Sequence, residues 1–318
     1  MPPLAAFRRA VRAAVAAAFA FALGLAAAAP APARSALPSG DPVGPRVELT
    51  PAEPRAGEVA VVEVDCRPRG GLCPEGLSLR WAGQDIALFP HPVRGPAFRA
   101  GLLAVPLTAK AEPTALEALW SEAGRPVSRP VAFRIRAGVF AEEALRVDPR
   151  HVHPSPQDRE RIRREREELE RIYAAGAPSP LWRGRFLAPV PGEVSGAFGT
   201  RRVFNGELIS RHTGVDFRAA AGDPVAAAAS GVVRLGKELF YSGNAVVVDH
   251  GAGVFTSYSH LSRIEVGVGQ RVARGEGIGR VGATGRATGP HLHWGVKVNG
   301  VAVDPLALLE ATALLARE

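Results

Sequence analysis

The sequence predicts a mostly β protein: a small sandwich-like N-terminal domain, a charged connecting helix and a Gly-rich all-β C-terminal domain. Three observations carry that prediction. Short alternating apolar runs, punctuated by Gly and Pro, recur through residues 46–138. One stretch of helical periodicity, 155–176, follows them. From about Trp182 onward β-type runs return with Gly between them, and helical spacing reappears only at Leu306–Ala316. A length of 318 residues allows about two ordinary domains. With 47% hydrophobic and 22% charged residues, wholesale disorder is excluded.

Residues 1–33 read as a signal peptide. Arg8, Arg9 and Arg12 form a positive head, Ala13–Ala29 is an uncharged run, and Ala29-Pro-Ala-Pro-Ala33 has the small-residue look of a cleavage site. An uncleaved membrane anchor is the alternative, although the run falls short of the ~20 residues that span a bilayer. Either way the rest of the chain is expected outside the cytoplasm, in the periplasm or cell envelope, with no stable membrane span after cleavage. Residues 34–45, rich in Pro, Ser and Gly, read as a linker.

Residues 46–138 are expected to form the accessory β-domain, with strands around Val47–Leu49, Val59–Val64, Leu77–Trp81, Phe98–Leu107 and Val131–Ile135. The two cysteines, Cys66 and Cys73, predict a disulfide in an exported chain. His91, set between prolines, reads as a loop residue. The segment 139–181 is expected to be a linker with a helix. Ser155 suits the N-cap, Pro156 the first helical position and Asp158 the capping-box acid. Ile162, Leu169, Ile172 and Tyr173 make a thin apolar stripe, the rest being Arg and Glu at paired spacing, and Gly176 can end the helix. His151 and His153, in a Pro-flanked stretch, are expected to be solvent-exposed.

A net charge of +8 favours polyanions, which outside the cytoplasm means wall polymers and anionic headgroups. Nucleic acid is not expected, because no aromatic-interleaved basic patch or binding motif is present.

The chemistry falls in residues 182–318, which hold five of the eight histidines. His291-Leu-His293 lies in a strand-like segment, where alternate side chains share a face, so both imidazoles point the same way. His212-Thr-Gly-Val-Asp216 supplies an imidazole and a carboxylate, a partial set for catalytic Zn²⁺, which takes three protein ligands and keeps one position open. By itself each pair is also compatible with half-buried strand or loop residues. His260, ending an apolar strand, fits either core or site, and His250 reads as a turn residue.

Taken together these residues resemble the lysostaphin-like (LytM-type) zinc metallopeptidases, which are peptidoglycan endopeptidases. The resemblance runs from about Phe186 to Pro305. It rests on Ala197-Phe-Gly-Thr-Arg-Arg202, His212-Thr-Gly-Val-Asp216, Gly222-Asp-Pro-Val-Ala226, Gly243–Gly251, Tyr258-Ser-His-Leu261, Gly282-Ala-Thr-Gly285 and Gly289-Pro-His-Leu-His-Trp294. It implies one Zn²⁺ per chain, held by His212, Asp216 and His293, with His260 and His291 acting on the water and the developing oxyanion. Which of those two is the main base the resemblance leaves open. The implied substrate is peptidoglycan. The alternatives are a metal-free relative that activates another wall hydrolase, and a metallopeptidase for an exported protein.

Overall fold

In the computed structural model residues 44–317 are described, so the expected signal peptide and most of the 34–45 linker lie outside the described residues. Strands β1 (Arg46–Thr50), β2 (Val59–Asp65), β3 (Ser78–Trp81), β4 (Gln84–Ile86), β5 (Phe89–Pro90), β6 (Phe98–Ala104), β7 (Pro113–Glu122) and β8 (Arg125–Arg134) form two four-stranded sheets. Their orders are β1-β2-β6-β5 and β4-β3-β7-β8. Val62, Val64 and Leu103 of the first pack with Leu79, Trp81, Leu116 and Phe133 of the second. The alternate residues Val59, Val61, Leu102 and Ala104 join a second cluster with Val296, Val298, Leu308 and Ala311. Both faces of β2 are thus covered, which accounts for its nearly unbroken apolar run. Cys66 and Cys73 are bonded to each other, as expected.

The β7–β8 hairpin extends well beyond the expected Val131–Ile135. Pro126 and Pro130 masked it in the sequence. They are tolerated because β8 is an edge strand, where a missing N–H costs no ladder bond.

The segment expected to be a linker contains strand β9 (Glu142–Leu145) as well as helix α1 (Pro156–Ala174). The Asp158 N–H donates to Ser155 Oγ at 3.1 Å, closing the predicted cap, while the C-cap is Ala175 rather than Gly176. Leu169, Ile172 and Tyr173 pack on Leu235, Leu239, Val247 and Phe255. His151 corrects the expectation of exposure: it is buried, because its ring packs edge-on against Phe240 at 5.2 Å and lies 6.2 Å from that of Tyr241. His153 is exposed and pairs with Glu207.

Beyond Trp182 come β10 (Val194–Gly196), β11 (Arg201–Phe204), β12 (Leu208–Arg211), β13 (Gly214–Phe217), β14 (Pro224–Ala226), β15 (Gly231–Leu239), β16 (Gly243–Gly251) and β17 (Val254–Leu261). They are followed by β18 (Arg263–Ile264), β19 (Arg271–Val272), β20 (Gly277–Arg280), β21 (Leu292–Val298), β22 (Val301–Val303) and helix α2 (Pro305–Leu315). The main sheet runs β10-β13-β21-β17-β16-β15-β19, with β22 against β21. Along β21, Leu292, Trp294, Val296 and Val298 are buried in the core, which leaves His293 on the opposite face. A second sheet, β12-β11-β9, draws the connecting segment into this region, and a third runs β14-β20-β18.

His250 also corrects its expectation. It lies within β16, fully buried, donating Nδ1–H to Ser230 O at 2.9 Å, with Nε2 2.8 Å from Thr256 Oγ1. Burial lowers its pKa from 6.5 to about 4. The unfolded chain therefore takes up this proton at higher pH than the folded one. The contribution is complete above pH 6.5 and is lost as pH falls toward 4, amounting to about 3 kcal/mol at 1.36 kcal/mol per pH unit. Urea unfolding between pH 7 and pH 4 is expected to show that loss, and His250→Gln to reduce it. An identical pH slope in the variant would exclude His250 as its source.

Candidate metal centre

Sheet register brings the two histidine motifs together. β13 and β17 flank β21, placing Asp216 and Ser259 directly opposite His293 from either side. Directly opposed residues have Cβ atoms roughly 5 Å apart, so the H-x-x-x-D and H-x-H segments meet without any loop having to reach. Gly214 is needed where it stands: a Cβ there would come within 2.8 Å of the His293 ring and 2.5 Å of Trp294 O.

His212 donates Nδ1–H to Ala197 O at 2.8 Å. A carbonyl only accepts, so Nε2 keeps its lone pair. That atom lies 3.0 Å from Asp216 Oδ1 and 2.9 Å from His293 Nδ1, and His293 Nδ1 lies 2.9 Å from the same carboxylate oxygen. Two ring nitrogens and a carboxylate oxygen thus converge on one point, the donor set of a catalytic zinc with an open position. Tetrahedral bonds of ~2.0–2.2 Å put ligand atoms roughly 3.3 Å apart, a few tenths of an ångström from the present spacing. The three residues fit the ion.

Burial alone would raise the Asp216 pKa. The ring nitrogens of His212 and His293 beside Oδ1 outweigh it and hold the carboxyl well below the usual range. The other carboxylate oxygen, Oδ2, accepts from the Arg202 guanidinium at 2.6 Å. Arg202 in turn binds Glu143 of β9, its neighbour in the parallel β9–β11 pair.

The other two histidines stand beside this group. His260 donates Nδ1–H to Thr284 O and His291 donates Nδ1–H to Gly289 O, both at 2.8 Å. Each therefore has a bare Nε2, and that of His291 is 3.8 Å from Asp216 Oδ1. Their ring centroids are 4.8 Å apart. Burial, with the neighbouring His293 and His291, lowers the His260 pKa to about 3. Its backbone is left-handed at φ 64°, an uncommon conformation for a non-Gly residue and one that clusters at functional sites. The loop carrying both acceptor carbonyls is pinned at Gly285, φ +71°, where a Cβ would sit 2.3 Å from Gly243 N.

All five residues expected from the sequence, His212, Asp216, His260, His291 and His293, line one cleft of about 540 Å³. Sequence reading assigned no role to Arg202, Glu143 or Arg286, which line it too. Strand alternation was the available signal: Arg202 and Phe204 on β11, and Glu143 and Leu145 on β9, are i,i+2 pairs that line the cleft. The remaining described histidines lie elsewhere, His91 against Glu63 at 3.1 Å.

Comparison with known proteins defines the class. The model of peptidase family M23 matches residues 210–305. A peptidase M23 structure from Pseudomonas aeruginosa superposes with a TM-score of 0.62 at 32% identity, covering 81% of this chain and 96% of that one. The chain belongs to peptidase family M23, of which the LytM-type peptidases expected from the sequence are part. Among curated relatives, DD-carboxypeptidase/endopeptidase Mpg of Neisseria meningitidis is 46% identical over 97 residues, 30% of this chain and 22% of the relative. Peptidoglycan DD-endopeptidase ShyA of Vibrio cholerae is 42% identical over 114 residues, 36% of this chain and 26% of the relative. The match thus spans about a quarter of the length of these curated relatives.

Proposed function

We propose that the chain is a zinc-dependent endopeptidase that hydrolyses peptide bonds of bacterial cell-wall peptidoglycan, acting outside the cytoplasm in the periplasm or cell envelope. The observation that carries this reading is the convergence of His212 Nε2, Asp216 Oδ1 and His293 Nδ1 beside two histidines with bare Nε2 atoms. The names of the curated relatives supply the substrate class. No helix among the described residues is long and apolar enough to cross a membrane.

One ion held by His212, Asp216 and His293 supplies Lewis-acid polarisation of the scissile carbonyl and lowers the pKa of water toward ~7. The remaining work falls to the chain. Arg202 fixes one oxygen of Asp216 so that the other faces His212 and His293. His260 and His291, locked in the Nδ1–H tautomer by loop carbonyls, offer Nε2 as proton acceptors. A neutral imidazole there would take the proton of the attacking water and return it to the leaving amine, and the second could hydrogen-bond the oxyanion after its Nε2 takes up a proton from solvent. The bond broken is the peptide C–N, and water supplies OH to the acyl side and H to the amine.

The test is release of soluble peptide-bearing fragments from purified peptidoglycan, with the chain's metal content measured in parallel. One zinc per chain is expected, with release abolished by a chelator and restored by added zinc. Stoichiometric zinc without release from any wall preparation would redirect the reading to an exported protein substrate. Absence of both would redirect it to a metal-free binding role.

A further inference from the structure

The cleft holds a cation that the hydrolytic machinery does not use. Arg286 stands in the Gly282–Pro290 loop, two residues after Thr284 and three before Gly289, whose carbonyls position His260 and His291. Its guanidinium is sandwiched between two rings, 4.3 Å from the Phe204 centroid and 4.6 Å from that of Tyr241. Its backbone N–H donates to Tyr241 O at 2.8 Å. Stacking of this kind orients a guanidinium edge-on and leaves its N–H fork free. Among the described residues that fork meets no carboxylate and no other acceptor.

The setting makes the missing counter-charge costly. Arg286 is half-buried, and burial together with the nearby Arg202 lowers its pKa below the ordinary arginine value. Four arginines line the cleft, namely Arg202, Arg211, Arg218 and Arg286, against two acids, Glu143 and Asp216. Both acids are taken up by Arg202. Cationic side chains thus outnumber acidic ones in the cleft, and among the described residues that line it Arg286 presents a fork held between two rings and met by no acceptor. A half-buried cation without a partner is destabilising until an anion arrives, and a planar fork suits a carboxylate bidentately.

We propose that Arg286 is a specificity-determining residue that receives a free carboxylate of the substrate close to the scissile bond. This rests on the reading of the chain as a wall endopeptidase and narrows it to peptides carrying such a carboxylate. Wall peptides supply one readily, at their C-termini and on side chains that cross-linking leaves unamidated.

The experiment compares two probes, a cross-linked wall peptide dimer with its carboxylates free and the same dimer with them converted to carboxamides. Full-length zinc-loaded chain is assayed as wild type, Arg286→Gln and Arg286→Lys. In the wild type kcat/KM is expected to favour the free acid by roughly 10- to 100-fold, the scale of a charge-assisted bidentate contact. In Arg286→Gln that ratio falls toward one, and in Arg286→Lys part of it remains. A wild type without preference, or an Arg286→Gln chain that is slower on both dimers with the ratio intact, overturns the proposal, the second result revealing only a loop clamp. Direct titration of both dimers by calorimetry separates this proposal from the reading beneath it. If neither dimer is cut, a binding preference for the free acid that disappears in Arg286→Gln still supports the carboxylate site. No such preference rejects it.

Discussion

Replacing His293 with alanine is expected to abolish bound zinc and hydrolysis together, with activity falling by at least about three orders of magnitude, some 4 kcal/mol of transition-state stabilisation. His293 contributes one of three converging ligand atoms, 2.9 Å from the other two, on a strand whose opposite face is packed in the core. Removing it leaves two ligands and exposes the Asp216 carboxylate to an imperfect partner set. His291→Ala is the informative contrast. Its Nε2 is 3.8 Å from Asp216 Oδ1, beside the ligand group but outside it. That variant is expected to keep one zinc per chain while kcat drops by roughly 10²–10⁴, the range of a lost general acid–base. Metal analysis by atomic emission, paired with kcat/KM on wall fragments, reads both quantities. A metal-free His291→Ala protein would move His291 into the ligand set and leave His260 as the sole base.

The cluster of His212, Asp216, His260, His291 and His293 was legible because its residues are chemically rare and repeat at strand spacing. The H-x-H pair predicts a shared face from periodicity alone, and Asp216 opposite His293 adds only sheet register. Less legible were features decided by tertiary pairing. Glu143 sits in a stretch, Glu-Glu-Ala-Leu, too short and too mixed to distinguish strand from linker, and its strand exists through parallel pairing with β11. Accordingly, the tie between the connecting segment and Asp216 could not be read from spacing. His250 and His151 show the same limit. A histidine followed by Gly, or flanked by Pro, has the composition of a turn, yet His250 finds Ser230 O and Thr256 in the core while His151 packs on Phe240. The fold class was carried by punctuation and alternation, which are local. Where proline interrupted alternation, as in β8, the strand was underestimated.

Arg202→Ala is expected to weaken zinc binding roughly 10- to 100-fold without removing any ligand, the scale of losing an outer partner that orients one. Asp216 Oδ2 now accepts from Arg202 at 2.6 Å while Oδ1 faces His212 and His293. Gly196 packs against that side so closely that a Cβ would lie 2.6 Å from Oδ2 and 2.8 Å from the Arg202 guanidinium. Water entering the space left by the guanidinium would hold Oδ2 without its charge or fixed direction, and the freed carboxylate can rotate or take both oxygens to the ion. Arg202→Lys restores charge but lacks the second arm that binds Glu143, so intermediate affinity is expected. Glu143→Gln keeps the hydrogen bond to Arg202 and removes only its charge, which predicts the smallest loss of the three. Competition against a chelator of known affinity measures the series independently of turnover. Equal affinities throughout would mean that Asp216 is held by its strand alone. The expected ordering would make β9 part of the metal site, so that the segment joining the two β-rich regions helps to set how tightly the ion is held.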